Sequence, residues 1–478
     1  MAGALFGAVA LSSCGSSNVR TPAAGKTVKT GIYQAVAAFS GPVTAGHVIE
    51  PLSGLPLDLP QNGYLQQEYF ASGTAHAFRA TSSPSDGAWT VAPTTSATYR
   101  TRILVRRPSM PSHFSGTVIV EWMNESAGES APDWDYLNPA LMDSGDAWVG
   151  VSAQALAIEG GKPILGSIAG SGKGLIQQEP ERYGSLHHPG DQYALDIFDQ
   201  IGLGLRSTKL DVFGSLQPRY FLAVGESQSA FYLTTFADTL QFLSRAFDGI
   251  FIHSRGGSGA QLDGASITSG SGVVGGLRIR TDLGMPVFMF ETQTDLIELG
   301  YAAAQQPNTP EIRTWEVAGT SHADSYLVGA AASILGCTTP INSGPQHIVV
   351  QAAFTDFVEW VTRGEAPPSP PPFTLSSVHP ATLALDRYGN VIGGVRTPAV
   401  DVPISTLSGS APAGATVICS LFGSTKKFST QMLVSLYGSR ANYLAKYAAD
   451  LAGAVGGHFV LSADRAALMA QADQVRIP

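Results

Sequence analysis

Along the middle of the chain, short runs that are apolar at nearly every position alternate with stretches of helical periodicity. Gly116-Thr117-Val118-Ile119-Val120-Glu121-Trp122, Ala147-Trp148-Val149-Gly150-Val151-Ser152 and Phe221-Leu222-Ala223-Val224 are runs of this kind, followed later by Phe247 to His253, Met285 to Phe290 and Ile312 to Val317. Runs this short without polar alternation read as strands buried on both faces. Helical patterns lie between them, around Trp134 to Met142, from Tyr193 to Leu205, and through Ala230, Phe231, Leu233 and Phe236. Strand and helix in alternation predict a mostly parallel sheet with crossover helices.

The flanking regions follow other patterns. From Gly31 to Thr98 short alternating stretches are cut by Pro and Gly, which suits peripheral strands at the start of the sheet. Tyr99 to Arg107 alternates in part and stops at Pro108, predicting a strand with one solvated face. The Gly/Ser-rich segment Gly256 to Gly276 is long enough for part of a rim or lid. Pro367 to Pro372 favours an extended linker. Beyond it, Asp386 to Val391 reads as a hairpin turn, and helical periodicity runs from Thr430 to Ala454 and from Ala463 to Asp473. The expected division is a leader over 1–14, a polar tether over 15–30, an α/β domain over 31–365, and over 366–478 the linker with a mixed α/β extension packed on that domain.

Composition narrows this picture. With 478 residues, 44% of them hydrophobic and 14% charged, the chain can bury a large core. A net charge of -9, spread without acidic or basic blocks, argues against a nucleic-acid partner. Cys14 closes a short apolar run from Ala4 to Leu11, an arrangement that resembles a bacterial lipoprotein signal in which Cys14 is lipidated. That predicts export to the cell envelope, with attachment to the membrane through Cys14 or release as a secreted protein. In an oxidising compartment Cys337 and Cys419 are left as a pair, and both a disulfide and two separate buried thiols fit.

The chemistry is expected at Gly225-Glu226-Ser227-Gln228-Ser229-Ala230, where strand meets helix. A serine on such a sharp turn stands clear of the sheet, and the positions two residues to either side must be small for the turn to close. Helix capping is the plainer role for a serine there. A serine hydroxyl needs a base, and the base needs a carboxylate to fix its tautomer. His322, in a Gly-containing loop after the strand ending at Val317, follows the required order of serine, acid, histidine. Asp295 lies between them beyond a strand end, with Glu291 as its rival. His253 reads as a pocket or structural residue, His187 and His188 as rim residues, and His347 as a core or capping residue at a helix start. The backbone N–H of Gln228 and one from the loop at Met123 or Asn124 are the expected oxyanion donors. Glu226 either anchors the elbow or touches substrate. Gly270, Gly272 and Gly275 match a dinucleotide-binding spacing without a strand before them, so no nucleotide is inferred. No metal-ligand spacing is evident, and neither metal nor cofactor is expected.

The elbow hexapeptide, Trp315 to Asp324 and Pro340 to His347 together resemble a bacterial family of large α/β-hydrolase-domain proteins, and the likeness extends to the tail around Cys419 to Gly423. The resemblance implies an α/β-hydrolase fold with Ser227, Asp295 and His322 in the triad roles. The resulting expectation is a serine hydrolase acting on a small-molecule carboxylic ester. Acyl transfer or amide hydrolysis on the same triad is one rival, and a cell-envelope binding protein without turnover is another.

Overall fold

The computed structural model describes residues 32–477, apart from 54, 56, 167–171, 208–211, 268–275, 330, 331, 333 and 334. Cys14, the expected tether and Gly270, Gly272 and Gly275 lie outside the described residues. Among the described residues nine strands form the central sheet: β1 (Ala38–Ser40), β2 (Tyr64–Ser82), β3 (Thr90–Pro108), β4 (Thr117–Trp122), β5 (Ala147–Val151), β6 (Tyr220–Glu226), β7 (Gly249–His253), β8 (Val287–Glu291) and β9 (Ile312–Glu316). Their order is β1-β2-β3-β5-β4-β6-β7-β8-β9. From β5 to β9 every neighbouring pair is parallel. The first three strands are antiparallel, and β3 joins β5 antiparallel.

The apolar runs are explained by two cores, one on each face. Val118, Val120 and Trp122 enter one core with the helices Ala194–Ser207 and Gln228–Phe236, while Ile119 and Met123 enter the other with Pro132–Ser144 and Gln346–Arg363. Successive side chains of a strand point to opposite faces, so a strand covered on both sides must be apolar at both sets of positions.

Four expectations are corrected. The N-terminal strands do lie at the sheet's edge, but they include a hairpin of two 19-residue strands, β2 and β3, rather than short stretches alone. The second is the solvated face of β3: Arg102 is fully buried, and the loop bearing Glu129 and the segment bearing Arg182 cover that face. Arg102 pairs with Glu68 and Glu129, and Arg182 shares Glu68, so the buried charges are compensated. Residues 256–260 of the Gly-rich segment are buried rather than rim-forming. Ala260 N–H donates to Phe231 O at 2.9 Å, and a Cβ on Gly256 would lie 2.5 Å from the Phe231 ring, so this stretch is a close-packed backing for the helix after Ser227. Fourth, the helix expected from Thr430 to Ala454 is two helices, Thr430–Tyr437 and Arg440–Gly456. Gly438 at φ 70° ends the first and the Ser439 side chain caps the second.

The C-terminal region packs on the sheet at β9, where Trp315 Nε1 donates to Pro368 O at 2.9 Å and Glu316 accepts Phe373 N–H at 2.6 Å. The hairpin turn after Leu385 forms, with Asp386 N–H bonded to Asn390 O. Ser405–Ser408 and Ser424–Lys427 form an antiparallel pair, and Cys337 and Cys419 are joined as a disulfide.

Candidate active site

Strand β6 delivers the elbow. Ser227 adopts φ 58° and ψ −120°, outside the regions an ordinary side chain prefers, and the helix Gln228–Phe236 begins at the next residue. The turn closes only on small neighbours: a Cβ on Gly225 would lie 3.0 Å from Ser229 Cβ and 2.9 Å from Leu233 Cδ1. A non-glycine residue held at positive φ is strained, and such strain gathers at functional sites.

Two further loops converge on this serine from the carboxyl ends of β8 and β9. His322 Nε2 lies 2.7 Å from Ser227 Oγ, and His322 Nδ1 lies 2.6 Å from Asp295 Oδ1. Asp295 is fully buried and His322 is 3% exposed. The second carboxylate oxygen of Asp295 accepts both the backbone N–H and the hydroxyl of Thr292 at 2.7 Å, completing a capping box for the helix Gln293–Ile297. Capping and histidine contact thus use different oxygens of one carboxylate. The rival acid, Glu291, is buried at the end of β8, and burial pushes its carboxyl well above the usual range.

Burial lowers the His322 pKa, but the Asp295 and Glu226 carboxylates outweigh it and leave the imidazole raised. Glu226 Oε1 stands 3.6 Å from His322 Nε2, and burial pushes its carboxyl up to about 7 despite the opposing pull of His322 and His253. Behind His322, Gln346 Nε2 reaches both His322 O at 3.3 Å and His253 Nε2 at 3.4 Å, while His253 Nδ1 lies 2.8 Å from Asp133. His253 is therefore a buried structural residue of the site's floor. His188 is buried with Nε2 3.0 Å from Ala153 O, and the His187 backbone pairs with Arg100 of β3, so these two belong to the sheet's flank instead of a rim. His347 opens the helix Gln346–Arg363 half-buried, with its ring stacked on Tyr326 at 4.2 Å.

The other flank of Ser227 departs from expectation. Met123 N–H donates to Val151 O at 3.2 Å and Asn124 N–H to Ser130 O at 2.8 Å, so neither amide is free for a substrate oxygen. Asn124 instead clamps the elbow: its side-chain amide donates to Glu226 O at 2.9 Å and its side-chain oxygen accepts Ser126 N–H at 2.7 Å. The amide of that loop which reaches the elbow is Glu125 N–H, held by Gln228 Oε1 at 2.8 Å. Gln228 N–H opens the helix after Ser227, where a backbone N–H has no intrahelical partner.

A family profile described as an α/β-hydrolase domain matches residues 39–470 of the chain. The chain belongs to this family. The match runs through both the sheet and the C-terminal region, so the extension is part of the hydrolase-domain protein. Solved structures similar to it include an α/β serine hydrolase homologue from Coxiella burnetii, at 13% identity over 51% of this chain and 88% of that one, with a TM-score of 0.27. Another is an α/β serine hydrolase without a lid from Xanthomonas campestris, at 10% identity over 52% and 86% with a TM-score of 0.26. A third is a glucuronoyl esterase from Solibacter usitatus, at 9% identity over 60% and 86% with a TM-score of 0.27. No curated protein matches the chain.

In this hydrolase-domain protein the strand order reverses at β4, and Ser227, Asp295 and His322 lie beyond the carboxyl ends of β6, β8 and β9, the edge where open α/β sheets bind ligands. Among the described residues no cluster of His, Cys, Asp and Glu is arranged to hold a metal ion. The sequence reading missed Thr294, whose buried hydroxyl accepts His322 N–H at 3.1 Å, and Gln346. The signal for the first was present: Thr292 and Asp295 have capping-box spacing, which predicts a tight turn with the intervening residues fixed.

Proposed function

We propose that the protein is a serine hydrolase that cleaves carboxylic esters through an acyl-enzyme. The observation that carries this reading is the unbroken line from Ser227 Oγ through His322 to Asp295, with hydrogen bonds of 2.7 and 2.6 Å. Ser227 Oγ attacks the ester carbonyl carbon as His322 Nε2 takes its proton. Asp295 holds the tautomer and stabilises the imidazolium. Negative charge grows on the carbonyl oxygen, which Gln228 N–H meets; Glu125 N–H is the second donor when the substrate oxygen displaces Gln228 Oε1 from it. His322 then protonates the departing alcohol, and water repeats the sequence on the acyl group.

The reading extends to location: an exported protein anchored through a lipid on Cys14, supported by the short apolar run before that cysteine. Loss of radiolabelled palmitate incorporation in a Cys14→Ser variant is the expected outcome, and unchanged incorporation would refute the anchor.

Rapid-mixing hydrolysis of p-nitrophenyl esters of graded chain length tests the mechanism. A stoichiometric burst of nitrophenol that disappears in Ser227→Ala is expected. Turnover that survives this substitution would refute it.

A further inference from the structure

We infer that Thr294 is a positioning residue, through which the C-terminal extension holds the acid loop and the histidine loop in register. The inference rests on reading Ser227, His322 and Asp295 as a triad. Thr294 is fully buried, and its hydroxyl does two things at once: it accepts His322 N–H at 3.1 Å and donates to Gly409 O at 2.5 Å. Gly409 N–H in turn donates to Gln293 Oε1 at 2.7 Å. One residue of the extension, through its N–H and its carbonyl, therefore straddles residues 293 and 294, immediately before Asp295. The approach is so close that a Cβ on Gly409 would lie 2.4 Å from Gln293 Cβ and 2.7 Å from Thr294 N.

The same hairpin grips the histidine loop. Ala323 N–H donates to Leu421 O at 3.2 Å and Asn342 N–H to Phe422 O at 2.9 Å, while the Asn342 side chain donates to Ser408 O at 3.0 Å. A Cβ on Gly423 would lie 2.9 Å from Ser321 Cβ. The pairing of Ser405–Ser408 with Ser424–Lys427 fixes the distance between the Gly409 and Leu421–Gly423 grips. Thr294 is where the three segments meet. A hydroxyl that donates to one partner is a stronger acceptor for the other, so the Gly409 contact tightens the hold on His322.

The test compares wild type, Thr294→Val, Thr294→Ser, Gly409→Ala and Ser227→Ala by the rate of inactivation with a fluorophosphonate, separating the maximal rate from the concentration giving half of it. Valine keeps the shape of threonine and removes the hydroxyl. A misplaced reacting group costs about 10²-fold, and that loss is expected in the maximal rate of Thr294→Val with half-saturation unchanged. Thr294→Ser is expected to restore most of the rate. Removing the hold on His322 weakens its contact with Asp295, so the acid limb of the pH–rate profile moves to lower pH. Gly409→Ala leaves the Thr294 hydroxyl in place and displaces its partner, and decides the matter if Thr294→Val does not fold: a slowed rate supports the inference. Inactivation that depends on Ser227 but runs at the wild-type rate in the folded Thr294 and Gly409 variants overturns it and leaves the hydrolase reading intact. Inactivation that does not depend on Ser227 at all overturns both.

Discussion

The two flanks of Ser227 are built in opposite ways. On the histidine side, loops that follow β8 and β9 meet a hairpin from beyond residue 400, and Ser227 and His322 are 95 residues apart in the chain. On the other side a single loop after β4 closes on itself, with Asn124 and Ser130 exchanging backbone hydrogen bonds and Asn124 clamping the elbow. The first flank is aligned in advance by contacts that are distant in sequence. The second has the amides of Met123, Asn124 and Glu125 already satisfied, the last by Gln228 Oε1. In the proposed mechanism the histidine flank is therefore the one that remote substitutions damage, and the oxyanion flank the one that substrate must complete.

The largest expected effect is on the histidine flank itself. Asp295→Asn leaves the shape intact and removes the tautomer control, so ester turnover is expected to fall about 10⁴-fold with little change in KM. A loss that small substitutions at Glu291 match and Asp295→Asn does not would move the acid role to Glu291. Next comes the fastening of the extension. Removing the disulfide with Cys337→Ser/Cys419→Ser opens a link between residues 82 apart in sequence and is expected to cost about 4 kcal/mol of stability by loop entropy. Thermal unfolding reads that loss, and an unchanged Tm would show that the hairpin is held without it.

On the opposite flank the expected change is smaller. A true oxyanion donor is worth about 10²- to 10³-fold; Asn124→Ala keeps the backbone N–H and removes only the side-chain clamp on Glu226 O, so it is expected to cost less than that. A loss of kcat at or beyond that range, at constant KM, would make the Asn124 side-chain amide a direct donor. The smallest effect is a shift in pH dependence. Glu226 and Asp295 both raise the His322 pKa, so Glu226→Gln removes one carboxylate and lets that pKa fall. The base must be neutral to accept a proton, so the acid limb of kcat/KM moves to lower pH. A limb that moves up instead would place Glu226 in another role.

The same contrast explains what the sequence could reveal. The parallel strands are legible because both their faces are covered, as in Val118 to Trp122, where every side chain is buried. The turn at Ser227 follows from local spacing, and Asp295 and His322 stood out as candidates because they lie beyond strand ends in the chain order expected of this fold. The covered face of β3 was hidden by Arg102 and Arg106, whose charges imitate a solvated face until Glu68 and Glu129 are placed beside the first and Glu50 beside the second. The oxyanion flank was misread at Asn124 for a related reason: which amide is free depends on how residues 124–130 fold back, and that is set by packing rather than by residue type. The capping-box spacing of Thr292 and Asp295 marks the turn that holds Thr294, but its contact with Gly409 was not legible, because it joins residues 115 apart.

The central claim is that one serine, at position 227, is made reactive by a fixed imidazole. Peptide mapping by mass spectrometry after fluorophosphonate treatment tests it most directly. The account predicts a single adduct on the peptide bearing Ser227, absent after Ser227→Ala and strongly slowed after His322→Gln. A folded wild-type protein that takes up no adduct, or one whose adduct survives Ser227→Ala, would contradict it.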